Sequence, residues 1–220
     1  MKLETYKKFV FASLFILGLT FSCTDLEIEE TDSLISEDTG DTGFSGVSNP
    51  SSALNDLYNK VGGDFATQES MYSLSEVTSD ELLVPTRGTD WGDNGVWRQL
   101  HTHTWTPDHA FIKAAWNNLN QNIFRSSEII ETTSADASTV AQAKFLRAFN
   151  MFFVMDLFGS VPFRGVDEGP DVNPTVLTRL EAYSFIETDL TDAIAALPSV
   201  GPGVENVGLA SQEAAKFLLA

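Results

Sequence analysis

One cysteine, three histidines and only 13 lysines and arginines occur among the 220 residues, against 31 aspartates and glutamates. A single cysteine cannot close an intrachain disulfide, so no disulfide framework supports this chain. The shortage of cations gives a formal net charge of −18. No basic cluster offers a phosphate-binding patch, and such a surface repels nucleic acid and anionic headgroups. The short motifs of common catalysts are missing too: there is no P-loop, no G-x-G-x-x-G and no G-x-S-x-G, residues 43 to 47 reading GFSGV. A glycosidase needs only two carboxylates, but nothing sequence-local singles out a pair. The expectation is a non-enzyme with no cofactor and no metal. His101 and His103, in HTHTW, are two apart and would need His109 as a third ligand, so packing is their expected role.

Long apolar runs are confined to the start of the chain. Lys2, Lys7 and Lys8 precede FVFASLFILGLTF, residues 9 to 21, a build too short to span a bilayer comfortably and typical of a secretory signal peptide. Ser22 is the small residue before cleavage, which makes Cys23 the first residue of the mature chain. A thiol there suits lipidation, since each buried CH₂ of an acyl chain adds about 0.8 kcal/mol to membrane binding. With no later run of this kind, no transmembrane span is expected in the mature protein.

Residues 23–48 form an acidic stretch rich in Ser, Thr and Gly, read as a flexible tether. Its DTGDTG, residues 38 to 43, lacks the hydrophobic strands of an aspartic-protease loop and reads as linker composition. From residue 49 to 220 the pattern is helical. Asn49 caps a helix with Pro50 at its first position and Leu54, Leu57 and Val61 on one side, ended by Gly62 and Gly63. A second helix opens at Thr106 and Pro107 and buries Ile112, Trp116, Leu119, Ile123 and Ile130 at a 3.6-residue period. The third, VAQAKFLRAFNMFFVMDLFG, is first amphipathic, with Gln142, Lys144, Arg147 and Asn150 between apolar positions. It is then apolar all round, which implies enclosure on several sides, until Gly159 stops it. Lys144 and Arg147 are expected to face acids on a neighbouring helix, with Asp156 a further pairing candidate. A fourth helix starts at the capping box Thr178–Glu181 and runs to Pro198; a last one starts at Ser211. The chain stops on apolar residues within that helix, giving the expectation of an N-terminal portion of something longer. Residues 76 to 106 lack helical rhythm and read as a long structured loop of the kind that carries function.

AKFLRAFNMFFVMDLFGSVPF (143 to 163) resembles the signature of the SusD/RagB family of outer-membrane nutrient-binding lipoproteins, and TSDELLVPTRGTDWGDNGVWRQLHTHTWTP and WNNLNQNIFRSSEII before it, with GLASQEAAKFLLA after it, resemble flanking family segments in the expected order. Residues 1–22 with Cys23 are similar to a bacterial lipoprotein signal, except that Thr20 stands where leucine is usual and Leu19 lies one place earlier. In Bacteroidetes lipoproteins, acids after the cysteine resemble an address for surface export. The resemblance implies an all-α fold of tetratricopeptide-like helical repeats with long irregular loops. It also implies a surface-exposed protein on the outer membrane, lipid-anchored at Cys23, that binds oligosaccharides and hands them to a SusC-like TonB-dependent transporter. The alternatives are a helical-repeat scaffold or peptide-binding lipoprotein without glycan affinity and, further off, a glycoside hydrolase.

Within the long loop, Arg87, Asp90, Trp91, Asp93 and Asn94 combine an aromatic face with planar polar groups, the pairing that sugar recognition needs. They are the candidate ligand-binding residues. The alternative is that Trp91 and Trp97 only pin the loop to the helical body.

Overall fold

The computed structural model describes residues 43–169, 171–200 and 208–220. The signal-like stretch 1–22, the lipidation candidate Cys23 and the tether as far as residue 42 lie outside the described residues. Seven α-helices are described: α1 (Pro50–Ala66), α2 (Met71–Glu76), α3 (Val96–His101), α4 (Ala110–Ile130), α5 (Ala137–Phe158), α6 (Arg179–Ile194) and α7 (Gln212–Leu219). Two three-residue strands, β1 (Val161–Phe163) and β2 (Thr175–Leu177), pair antiparallel with Val161 opposite Leu177. None of the described helices is long and apolar enough to cross a membrane.

The helix starts follow local chemistry. Asn49 Oδ1 accepts the Ser52 N–H at 3.1 Å, Asp136 Oδ1 accepts that of Thr139 at 2.9 Å, and Ser211 Oγ accepts that of Ala214 at 3.1 Å. Thr178 and Glu181 form the reciprocal capping box at the head of α6. Each such cap is worth about 1 kcal/mol, because it satisfies an N–H that the helix leaves without a partner. At the other end of α5, Gly159 takes φ 81°, a left-handed turn that a side chain would resist.

Helix α5 lies between α4 and α6 and packs extensively on both. Met151, Val154 and Ala148 of α5 meet Ala115, Leu119 and Ile123 of α4 and Ala182, Ile186 and Leu190 of α6 in one core. A second cluster joins Leu54, Leu57 and Val61 of α1 to Ile129 and Leu146. Charged side chains tie the same helices together. Lys144 donates to Asp192 at 2.7 Å, and Arg147 reaches Asp189, so both cations face acids on α6. Asp64 of α1 accepts hydrogen bonds from Asn118 and Asn122 of α4, each at 3.0 Å, and Asn122 also donates to Asn150 of α5 at 3.2 Å.

Several elements differ from the sequence pattern. Helix α1 does not end at Gly62 and Gly63 but continues to Ala66. Each glycine costs roughly 1 kcal/mol of helix propensity. Beyond them, however, Asp64 finds its asparagines and the Phe65 ring packs 5.1 Å from Phe149 and 4.8 Å from Phe153. Helix α4 starts at Ala110 rather than Thr106, because His109 is buried and its Nε2 bonds the Val96 carbonyl at 3.0 Å, which holds the preceding turn away from the helix axis. Arg147 and Asn150 of α5 are both buried. The loop 76–106 contains a helix, α3, too short to register as a period but anchored by buried Trp97 and Leu100. The last tether residues are fastened down: Phe44 N donates to Asp167 Oδ1 at 3.0 Å and Val47 N to Thr132 Oγ1 at 2.9 Å.

Candidate ligand-binding site

Between α2 and α3 the chain leaves the helical body and returns through residues 77 to 95. The tip is a tight reversal: Arg87 N–H donates to Asp90 O at 3.0 Å and Asp90 N–H to Arg87 O at 2.9 Å, around Gly88 at φ 62°. A glycine at the first central position suits such a two-residue turn. The return limb is left-handed at Trp91 (φ 57°), Asp93 (φ 36°), Asn94 (φ 53°) and Gly95 (φ 83°). For a bulky residue such as Trp91 a positive φ is a steric outlier, which only surrounding contacts can hold in place.

Those contacts are visible. The Trp91 ring meets Trp97 with centroids 5.4 Å apart at 66°, and Trp97 in turn meets Phe111 of α4 at 4.8 Å. The Trp97 Nε1–H donates to Asp93 Oδ2 at 2.7 Å, so the buried indole has its polar partner within the same loop. Trp97 is 4% exposed whereas Trp91 is 40% exposed. The first is a pin into the core and the second presents ring surface to solvent.

Arg87, Trp91 and Trp97 line a cavity of about 380 Å³ together with Gln68, Tyr72 and Leu83. Of the five candidates, Arg87 and Trp91 therefore share one space. Asp90 supplies the backbone pairing beneath Arg87, Asp93 is committed to Trp97, and Asn94 stands exposed on the return limb without lining the cavity. Sequence reasoning missed Tyr72 and Gln68, which come from α2 and the turn before it; nothing in that short stretch links it to a loop 15 to 20 residues later.

A larger cavity, about 740 Å³, opens on the other side of α2 and α3, against α4 and the end of α5. Trp116 lies in its wall with its ring edge on Phe158 at 4.9 Å and is 36% exposed, so it does not belong to the buried stripe of α4 expected from the period. Ala115, one residue earlier, takes that place. His103 Nε2 pairs with the Thr78 carbonyl at 2.7 Å and its ring meets Trp105 at 5.2 Å. Among the described residues no three His, Cys, Asp or Glu side chains are grouped to hold a metal ion.

A family model, SusD-like and described as starch-binding associating with outer membrane, matches residues 35–220. The starch-binding protein SusD of Bacteroides thetaiotaomicron is 25% identical over 142 residues, which cover 62% of this chain and 24% of that protein. A surface glycan-binding protein A from Bacteroides thetaiotaomicron, solved with laminarihexaose, superposes with TM-score 0.61 at 23% identity, covering 77% of this chain and 37% of that one. A laminarin-binding SusD-like protein gives TM-score 0.64 at 22% identity over 77% of this chain and 38% of its own. The chain thus spans about a quarter of the curated relative it matches and under two fifths of these two solved ones.

Proposed function

The chain belongs to the SusD-like family, described as starch-binding and associating with the outer membrane, and from that premise we propose that it captures oligosaccharides at the outer membrane as a binding protein rather than an enzyme. In this reading Cys23 carries the lipid anchor, the acidic stretch after it spaces the body from the bilayer, and the bound glycan passes to a SusC-like TonB-dependent transporter. The ligand site is the loop cavity of Arg87, Trp91, Tyr72 and Trp97.

The observation that carries the site is the run of left-handed backbone at Trp91, Asp93 and Asn94. Strain of this kind costs on the order of 1–3 kcal/mol per residue and clusters at ligand clamps, where the geometry is held for use. Here it holds a half-exposed indole at a fixed angle on a buried one, beside an exposed guanidinium. A pyranose stacks its C–H face on such a ring while planar polar groups bond its hydroxyls. The solved relatives supply the first probes, since one is in complex with laminarihexaose and another is laminarin-binding.

The test is calorimetric titration of the chain with laminarihexaose and a starch-derived oligosaccharide. Saturable binding that weakens about tenfold or more in Trp91→Ala supports the reading. Binding indifferent to Trp91→Ala rejects the site, and slow cleavage of the sugar during the titration rejects the non-catalytic role.

A further inference from the structure

We propose that the 740 Å³ cavity between α2–α3, α4 and the end of α5 is a second oligosaccharide site, for an uncharged sugar, separate from the Trp91 loop; the proposal rests on the glycan-binding reading above. Its volume lies within the range of small-ligand pockets. Two indoles line it, Trp105 and Trp116, 39% and 36% exposed. Each is held from one side by an edge contact, Trp116 on Phe158 at 83° and Trp105 on His103 at 67°, so that ring surface is left available on a fixed plane. His103 is itself anchored to the Thr78 carbonyl, which makes Trp105 part of the frame rather than a loose side chain.

The polar groups on the same wall are uncommitted. Thr106, Asp108, Lys113 and Asn117 line the cavity, and among the described residues none of their side chains makes a hydrogen bond to protein. They supply hydroxyl, carboxylate, ammonium and amide, both donors and acceptors, around aromatic surface. One cation and one anion offset each other, so the site has no preference for a charged ligand. An apolar ring face with hydroxyls around its rim is the ligand chemistry that matches this combination.

Both sites share a wall. Leu74 of α2 and Leu100 of α3 face the larger cavity, while Tyr72 and Trp97 of the same two helices face the smaller. Each site can therefore be emptied by a substitution that leaves the other's lining intact.

The experiment is calorimetry on the full chain in a detergent without a sugar headgroup, titrated with laminarihexaose and with a starch-derived oligosaccharide, using wild type, Trp91→Ala, Trp116→Ala and Asn117→Ala. The last alters only an uncommitted side chain and controls for folding defects at Trp116. Two equivalents are expected in wild type, falling to one in Trp91→Ala and to the other one in Trp116→Ala. Asn117→Ala should weaken only the phase that Trp116→Ala removes, by about threefold or more. A single equivalent that Trp91→Ala abolishes and Asn117→Ala leaves unchanged overturns the second site while the loop reading stands. Binding that survives Trp91→Ala and is lost with Trp116→Ala and Asn117→Ala upholds the cavity and overturns the loop. No binding of either sugar by wild type overturns both.

Discussion

Arg147 of α5 and Asp189 of α6 form two parallel hydrogen bonds, Nε to Oδ2 at 2.7 Å and Nη2 to Oδ1 at 2.8 Å, with both residues buried. The remaining Nη1 donates to Ser127 Oγ on α4 at 3.1 Å, and the guanidinium carbon lies 4.9 Å from the Phe185 ring centre. One side chain thus links three helices. Removing one partner strands the other charge in the interior, which costs about 3–5 kcal/mol. Arg147→Met and Asp189→Ala should each lower the urea midpoint sharply, and Arg147→Lys should not rescue, because an ammonium cannot reproduce the two-pronged geometry. The double substitution Arg147→Met, Asp189→Leu should recover most of the loss; if it is as unstable as the sum of the singles, the pair is not what holds α5 to α6.

Gly62 and Gly63 sit inside α1, at ordinary helical φ, and a Cβ built on either meets nothing within 4 Å. Gly63→Ala should therefore stabilise by about 0.5–1 kcal/mol, seen as a melting temperature raised by roughly 2–4 °C per kcal/mol. A drop instead would mean that another surface covers this face of α1.

Asp93 positions Trp97 through the hydrogen bond from Nε1–H to its Oδ2. Asp93→Ala leaves the buried Nε1–H without its acceptor, a loss of about 1–3 kcal/mol, and frees Trp97 to shift against Trp91. Weaker glycan binding together with a changed near-ultraviolet circular dichroism of the indoles is expected, and Asp93→Asn, which keeps an acceptor oxygen, should restore both in part.

Glu213, at the head of α7, accepts the Val200 N–H at 3.1 Å and the Ser199 hydroxyl at 2.8 Å, and these bonds draw its carboxyl down from 4.5 to about 2. A carboxylate with a depressed folded value contributes stability that is fully present above about pH 4.5 and is lost as the pH falls from there towards 2. Glu213→Gln should thus be less stable than wild type at neutral pH, with the gap closing through that acid window in urea titrations run at successive pH values. A gap that stays constant down to pH 2 would contradict the assignment.

Much of this was legible where cause and effect lie within a few residues. Asn49, Asp136, Thr178 with Glu181, and Ser211 all have side chains within reach of their own helix starts, and the helices begin where that chemistry places them, Asp136 included although it was not singled out. Lys144 and Arg147 are cations in an apolar helix, so acids had to face them; which acids they would meet, Asp192 and Asp189, depends on how α6 lies. The passage of α1 through its glycines, the later start of α4 and the exposure of Trp116 were hidden for the same reason. Each is decided by a partner well outside the local window, 13 or more residues away: Asn118 and Asn122 for Asp64, Val96 for His109, Phe158 for Trp116. In the loop, composition identified Arg87 and Trp91 as neighbours, while the commitment of Asp93 to an indole four residues on, and the arrival of Tyr72 from α2, needed the fold.

The Asp64–Asn118–Asn122–Asn150 cluster has a consequence for assembly. A slide of α4 along α1 by one helical turn, about 5.4 Å, would set Ala114 or Ser126 opposite Asp64 in place of one of the asparagines. The carboxylate would keep Lys60 Nζ of its own helix, but against Ala114 it would lose one of its two amide donors. The cluster therefore works as a vernier, favouring one register of α4 on α1 and fixing the height at which the α4 end of the molecule meets its loops.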